Sequence, residues 1–340
     1  MQSVSIFDSE RSLPWHRLGQ PLPSGATVDQ MLDIASCNYD VFTANVAAID
    51  AHGNLLHGSD GKPVVIADSR ATIRSNADGS FKGISTVGTR YVVQQNREVL
   101  ERAVSVARIM GSLRGDENVR VDACGSIGEG REFFATIRLG TSTIDPNGIA
   151  DDLDEYLVVR NGHDGKTPIT FANTPIRAVC KNAVLLAVNQ SARKVTARHT
   201  KNADFVVSDG MEVAKQWADL SRRTRMIAER MVKVAIPNND TVAETARAIF
   251  TRGAGTKSRK HLEGTVDTVV NLYSNHRNAG NYGKNGWSLY NAVVEYLDHE
   301  RDADAKDRAE TTMDSTSWVS KKKLDTARYV LALPKEGDVG

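Results

Sequence analysis

The residues best placed to do chemistry in this chain are cations that stand apart from any acid. From Gly165 through Ala203 the sequence holds Lys166, Arg177, Lys181, Arg193, Lys194, Arg198 and Lys201, with no Asp or Glu. The whole chain carries a net charge of only +1. Setting these seven cations aside leaves the remainder at about −6, an asymmetry expected where an anionic partner binds. A second basic stretch, Arg252 to Lys260, is Gly-rich and offers Arg252, Lys257, Arg259 and Lys260 as a further patch against a phosphate backbone. Its Gly255-Thr256-Lys257-Ser258 is like the end of a phosphate-binding loop. Thr251 and Thr256 stand where that loop requires glycine, however, so nucleotide hydrolysis is not supported.

Metal chemistry is the competing use of these residue types. Glu295 and His299 lie four apart on one predicted helix face, with Asp298 between them, and His163-Asp164, His199 and His276 are further donors. No second pair at ligand spacing accompanies them, so Glu295 and His299 read as a solvated pair. Cys37, Cys124 and Cys180 form no C-x-x-C spacing and indicate neither a zinc site nor a disulfide framework. No metal or other cofactor is expected, and a metal-dependent nuclease or phosphodiesterase is the runner-up reading.

The elements that must position the basic run follow from its pattern. Tyr156 to Arg160 reads as a strand, and Asn161-Gly162-His163-Asp164-Gly165 as a tight turn. In that turn Asn and Asp bond their own backbone and the glycines are free to take positive φ. Ile169 to Ala172 is a second strand. Thr174-Pro175 then reads as an N-cap and first helical residue, with Ile176, Val179, Cys180, Ala183, Val184, Ala187 and Val188 at helical spacing. Arg177 and Lys181 would sit in the first turns of that helix, where the macrodipole disfavours cations but where phosphates are commonly seated.

These passages resemble a known family. Leu157-Val158-Val159-Arg160-Asn161-Gly162-His163-Asp164-Gly165 and Thr174-Pro175-Ile176-Arg177-Ala178-Val179-Cys180-Lys181-Asn182 are similar to the centre of the phage/plasmid-like protein family known as domain of unknown function 932. Pro14-Trp15-His16-Arg17-Leu18-Gly19 and the segment Asn291 to His299 resemble its opening and closing motifs, with Gly162, Lys181 and Ala183 as departures. The order of elements is more distantly similar to that of the phage single-strand annealing proteins. That resemblance implies binding of single-stranded DNA along a basic groove of a homo-oligomeric ring or filament. It also implies partners such as a phage exonuclease or a host single-strand-binding protein, and a phage or plasmid gene expressed in a bacterial cytoplasm.

Around the centre, the pattern divides into an N-terminal arm over 1–26, an α+β core over 27–205, a helical region over 206–333 and a flexible tail over 334–340. Trp15 is expected to dock the arm. β-rich runs from Tyr39 to Gln94 read as an antiparallel meander, followed by a helix capped by Asn96 and ending at Gly111. Gly125 to Gly130 is a hairpin turn and not a phosphate cradle, because no Lys-Ser/Thr follows. Asp145 to Glu155 reads as an acidic linker or hairpin end at the surface. From Asp209 the period is helical, with Trp217 and Met226 as core residues, while Tyr282 and Trp287 lie among loop cations in a pattern that suits either base stacking or docking on the helical layer. No apolar run is long enough to span a bilayer, so no membrane partner is expected.

The expected fold is α+β: an antiparallel sheet packed by helices, with a β-β-β-α core of the annealing type, then a helical C-terminal region. The expected function is ATP-independent binding and annealing of single-stranded DNA, through Lys166, Arg177, Lys181, Arg193, Lys194 and Arg198 with the Arg252 to Lys260 patch as support. A phage structural or partner-binding protein is the third possibility, and it would lack salt-dependent affinity for nucleic acid.

Overall fold

The computed structural model of the protein describes residues 5–8, 20–22, 26–115, 119–145, 148, 150–177, 194–200, 210–251, 259–301 and 317–334. The chain is α+β. Its larger sheet contains β1 (Ser5–Asp8), β2 (Gln20–Leu22), β6 (Arg120–Ile127), β7 (Glu132–Ile144), β8 (Asp151–Gly162), β9 (Ile169–Arg177) and β10 (Lys194–Ala197). The strand order is β10-β9-β8-β7-β6-β1-β2, with antiparallel pairing except between β1 and β2. A second antiparallel sheet is a meander of β3 (Asp40–Ala47), β4 (Val65–Ser75) and β5 (Phe81–Gly88). Between β3 and β4, residues 48–64 fold into a small lobe of two tight turns.

Helix α1 (Val28–Ile34) starts at a capping box made by Thr27 and Gln30. Helix α2 (Asn96–Arg114) lies against the larger sheet. It is capped by Gln95, not Asn96, and runs past Gly111 to Gly115, whose φ of +73° closes it in the left-handed conformation. Along α2 the residues Val99, Leu100, Ala103, Val106, Ala107 and Met110 are buried, the helical stripe expected of a sheet-covering helix. They pack with Phe133, Ala135, Ile137, Leu157 and Val159 of the sheet. Each of the larger side chains among them, Val, Leu, Ile, Met and Phe, contributes roughly 1.5–3 kcal/mol by leaving water.

The remaining helices form a second core. These are α3 (Gly210–Val232), α4 (Asn239–Thr251), α5 (Arg259–Ser274), α6 (Gly286–Glu295) and α7 (Trp318–Leu331), with single π-turns at His276–Gly280 and Tyr296–Glu300. Every residue of α6 is buried, so it is the central helix of this layer. Its first residue, Gly286, passes so close to α7 and α3 that a Cβ would meet Val330 Cγ1 at 2.6 Å. Helix α3 joins the two cores: Trp217 is buried with the sheet, while Ala228 and Met231 are buried with the helices. Among the described residues no helix is long and apolar enough to cross a membrane.

Three expectations are corrected by this arrangement. Thr174 and Pro175 do not start a helix; they continue β9, opposite Tyr156 and Glu155 of β8. The β-branched run from Ile169 to Ile176 meets a long partner strand. Among the described residues β10 pairs with β9 only as far as Ala172, so no described strand lies beside Pro175 on that side, and a proline there is tolerated as on an edge strand. Residues 178–193, where the rest of that helix was expected, lie outside the described residues.

The acidic stretch is surface only in part: Asp145 and Asp152 are exposed, but three of its acids are not. Asp151, Asp154 and Glu155 are buried in β8. Asp151 accepts a 2.7 Å bond from Trp287 Nε1 and Asp154 pairs with Arg138 at 2.8 Å. Glu155 accepts hydrogen bonds from Ser142 and from Ser221 of α3. Asp151 and Glu155 thus fasten the sheet to the helices, while Asp154 is neutralised within the sheet by Arg138 of β7, which is how buried charge is accommodated. Met226, in contrast to its expected core position, is 54 % exposed. Of the expected N-terminal arm, β1 and β2 join the larger sheet, while Trp15 and residues 335–340 of the tail lie outside the described residues.

Candidate nucleic-acid interface

The turn Asn161, His163 and Asp164, the most distinctive motif in the sequence, is buried at the junction of the two sheets. Asn161 Nδ2 donates to Gln94 O at 2.9 Å and to Asn96 Oδ1 at 3.1 Å. His163 Nε2 lies 2.9 Å from the same Asn96 oxygen. That oxygen can only accept, so Nε2 carries the imidazole proton. The backbone of the turn holds the meander sheet: Thr72 Oγ1 donates to His163 O at 2.8 Å and Ser85 Oγ to Asp164 O at 3.2 Å. Asp164 closes the turn by accepting from the Lys166 and Thr167 amides at 2.9 and 2.8 Å. Gly165 follows at φ +74°, and a Cβ there would meet Val87 Cγ1 at 2.8 Å. Burial, reinforced by the neighbouring His199, pushes His163 down to about 3, so its imidazole is neutral and structural.

Next to this junction is a groove of about 1350 Å³, bounded by the segment Val87 to Val92, the turn Gly165 to Pro168 and the end of β10 at Arg198 to Thr200. Its inner wall is a pair of stacked rings: Tyr91 and His199 lie 4.9 Å apart between centroids, 18° between planes. The pair is fixed from both sides. Tyr91 Oη donates to Gly162 O at 2.8 Å, and the Val92 amide donates to His199 O at 3.0 Å. Burial pushes His199 down to about 4 and raises the Tyr91 phenol, with Asp164 adding to the latter, so both rings are uncharged at neutral pH. Neither ring nitrogen of His199 has a hydrogen-bond partner.

Around the rings stand the exposed cations Arg90, Lys166 and Arg198, with Asp68 as the one carboxylate of the lining. Among the described residues none of the three cations is paired with an acid. His199 is buried behind the half-buried Tyr91 ring, so the unpaired guanidinium and ammonium groups can take phosphates while Tyr91 alone of the two rings offers a base face.

Two of the predicted contact residues, Lys166 and Arg198, therefore come together in one groove. Others do not join them. Arg177 ends β9, opposite Leu153, about 26 Å from the Ile169 end of the strand at ~3.3 Å per residue. Lys194 begins β10 opposite Ala172, a strand length back from Arg198. Lys181, Arg193, Lys201, Arg252 and Lys257 lie outside the described residues. Arg259 and Lys260 are exposed at the start of α5, in the helical layer, and do not line the groove. Arg90 and Tyr91 were missed by reading the sequence, which marks them only as the end of a β-rich run.

The alternative sites are occupied by structural bonds. Glu295 is buried, taking Arg277 Nη1 at 3.2 Å and Asn278 Nδ2 at 3.1 Å, so it is not half of a solvated pair with His299. Asp298 is buried against the fully buried Lys323, with Nζ 2.6 Å from Oδ1. Among the described residues no group of three or more His, Cys, Asp or Glu could hold a metal ion. Trp287 and Tyr282 are buried and cannot stack on bases. Cys37 and Cys124 are buried free thiols, the former pushed up to about 12 by burial.

Comparison with curated proteins and with solved structures finds no match to this chain. The sequence model of the family described as domain of unknown function DUF932 matches residues 83–321, which include β6 to β10, the groove and most of the helical layer. The chain belongs to the DUF932 family.

Proposed function

We propose that this protein binds single-stranded DNA in the groove at Tyr91 and His199 and anneals complementary strands without ATP, in recombination of the phage type. One observation carries the reading: an anchored, uncharged aromatic stack is flanked by Arg90, Lys166 and Arg198, all unpaired among the described residues. Stacking contributes ~1–3 kcal/mol per base and tolerates any sequence, while cations supply affinity that depends on salt. A duplex hides its base faces, so such a groove favours single strands. The distant resemblance to phage single-strand annealing proteins supports the same reading. It brings with it the expectation of self-association, of a recombination exonuclease or host single-strand-binding protein as partner, and of a bacterial cytoplasm as the place of action.

The test is fluorescence anisotropy of a labelled single-stranded oligonucleotide over a salt series, with and without a chelator and with duplex competitor. Expected is chelator-insensitive binding that prefers single strands and weakens steeply with salt, followed by accelerated annealing of complementary oligonucleotides. Absence of binding, or loss of label that requires a divalent metal, contradicts it.

A further inference from the structure

A groove that took phosphates alone would be better without Asp68, the one carboxylate of its lining. A distortion of the meander sheet brings that residue there. β3 and β4 pair in register from Asp40 opposite Ser75 to Asn45 opposite Arg70, but the next residue, Val46, lies opposite Ile66. Ala67, Asp68 and Ser69 are left over, a bulge without partners on β3. Bulges bend a strand and re-aim its side chains, often beside a functional site. On the other side of β4, Ser69 is paired with Gly88 of β5. The turn that follows carries the Tyr91 amide back to Gly88 O at 3.0 Å, so the bulge and the Tyr91 ring share one rim of the groove.

Asp68 is exposed, and Ser69 Oγ donates to it at 3.4 Å. Among the described residues no cation pairs with it. Arg70, the nearest in sequence, instead donates from Nη1 to Ser69 O at 3.0 Å. The groove therefore presents three cations and one anion that do not neutralise each other. A ligand that satisfies all four is anionic at one group and a hydrogen-bond donor at another. A nucleotide has this form, with phosphate for the cations, a ring face for Tyr91 and a base N–H for Asp68. An ionised carboxylate only accepts, so the base must donate. On the major-groove edge cytosine and adenine present an amino group, whereas thymine presents O4, an acceptor that a carboxylate repels. That edge stays open when the base pairs, so the contact is compatible with annealing.

We infer that Asp68 is a specificity-determining residue of the groove: it accepts a hydrogen bond from the amino group of the stacked base and so favours cytosine and adenine over thymine. The inference rests on the proposed single-strand groove and adds a base preference to binding that otherwise tolerates any sequence.

The test is anisotropy of full-length wild type and Asp68→Ala with labelled deoxycytidine and deoxyuridine oligonucleotides of equal length at neutral pH. These pyrimidines carry an amino group and a carbonyl at the same ring position, and neither has the thymine methyl. Wild type is expected to bind the deoxycytidine strand roughly three- to tenfold more tightly, the scale of one hydrogen bond to a charged group at an exposed site. Asp68→Ala brings the two strands to one affinity, weakening the first and strengthening the second, which no longer meets a repelling carboxylate. Wild type that binds both strands equally, or the deoxyuridine strand more tightly, overturns the inference and leaves the groove reading in place. A preference that survives in Asp68→Ala does the same. Wild type that binds neither strand removes the groove reading itself, and the inference with it.

Discussion

Tyr91 lies flat on His199, with centroids 4.9 Å apart; the Tyr91 ring is tethered through its hydroxyl to Gly162 O, and the His199 backbone is tethered through its carbonyl to the Val92 amide. Such a stack is pre-organised: little rotamer freedom remains to be lost when a base arrives. The residues that anchor it, Gly162 and Val92, come from two segments that meet only because the junction turn is buried between the sheets.

Removing the aromatic surface separates stacking from fold. Tyr91→Ala is expected to lower affinity for single-stranded DNA by ~1–3 kcal/mol. Tyr91→Phe keeps the ring and loses only the bond to Gly162 O, so its affinity stays near wild type while stability falls by ~1 kcal/mol. Titration by anisotropy and urea unfolding distinguish the two effects. Equal affinities for all three proteins would remove the rings from the binding site.

Acid should loosen the junction before it affects other parts of the fold. His163 and His199 have native values of about 3 and about 4, below the ordinary 6.5. The unfolded chain therefore binds more protons through this window, and stability falls as pH drops below the ordinary value toward the native ones. At pH 5 the loss is about 2 kcal/mol per imidazole, by the ~1.36 kcal/mol per unit relation. Chemical denaturation from pH 7 to 5 measures it, and His163→Asn should flatten the dependence by roughly half. A wild-type stability independent of pH in this range would mean that these imidazoles are solvated.

Two glycines are fixed by close approach. Gly165→Ala places a side chain at φ +74° and 2.8 Å from Val87 Cγ1, and Gly286→Ala places one 2.6 Å from Val330 Cγ1 and 2.9 Å from Met231 O. Each is expected to cost ~1–3 kcal/mol. Gly165→Ala should also weaken DNA binding, because its turn forms a wall of the groove, whereas Gly286→Ala should not. Thermal melts and anisotropy on the two variants check both halves.

The ion pair inside the helical layer gives a further test. Lys323→Met removes the ammonium paired with the buried Asp298 and should destabilise by ~3–5 kcal/mol, while Asp298→Leu combined with Lys323→Met should recover most of that loss. Urea unfolding of the single and double variants reads the difference. A single variant as stable as wild type would show that water already reaches Asp298.

Local chemistry was the readable part of this chain. The hairpin turn at Gly128 to Gly130, the apolar stripe of α2 and the α+β class follow from turn residues and periodicity that act within a few positions. What failed depended on distant partners. Thr174-Pro175 has the local form of a helix start, but the length of β8 recruits it into β9. Asp151 and Glu155 look like surface acids until Trp287 and Ser221 arrive from the helices. Glu295 has ligand spacing to His299, with Asp298 between them, yet Arg277 holds Glu295 and Lys323 holds Asp298. The groove was half legible. Lys166 and Arg198 stood out by charge, whereas Arg90 and Tyr91 acquire meaning only where the segment after β5 crosses the turn after β8.

The most direct test of the groove is the salt dependence of single-strand binding in Lys166→Glu/Arg198→Glu, with Arg177→Glu, at the far end of β9, as the comparison. Binding in the groove predicts that the double reversal weakens affinity for every sequence and reduces the slope of log K against log salt by about 1.4, at ~0.7 per phosphate contact. Arg177→Glu should change that slope little, and all three proteins should melt together. A double reversal with wild-type affinity and slope would contradict the assignment of this groove to nucleic acid.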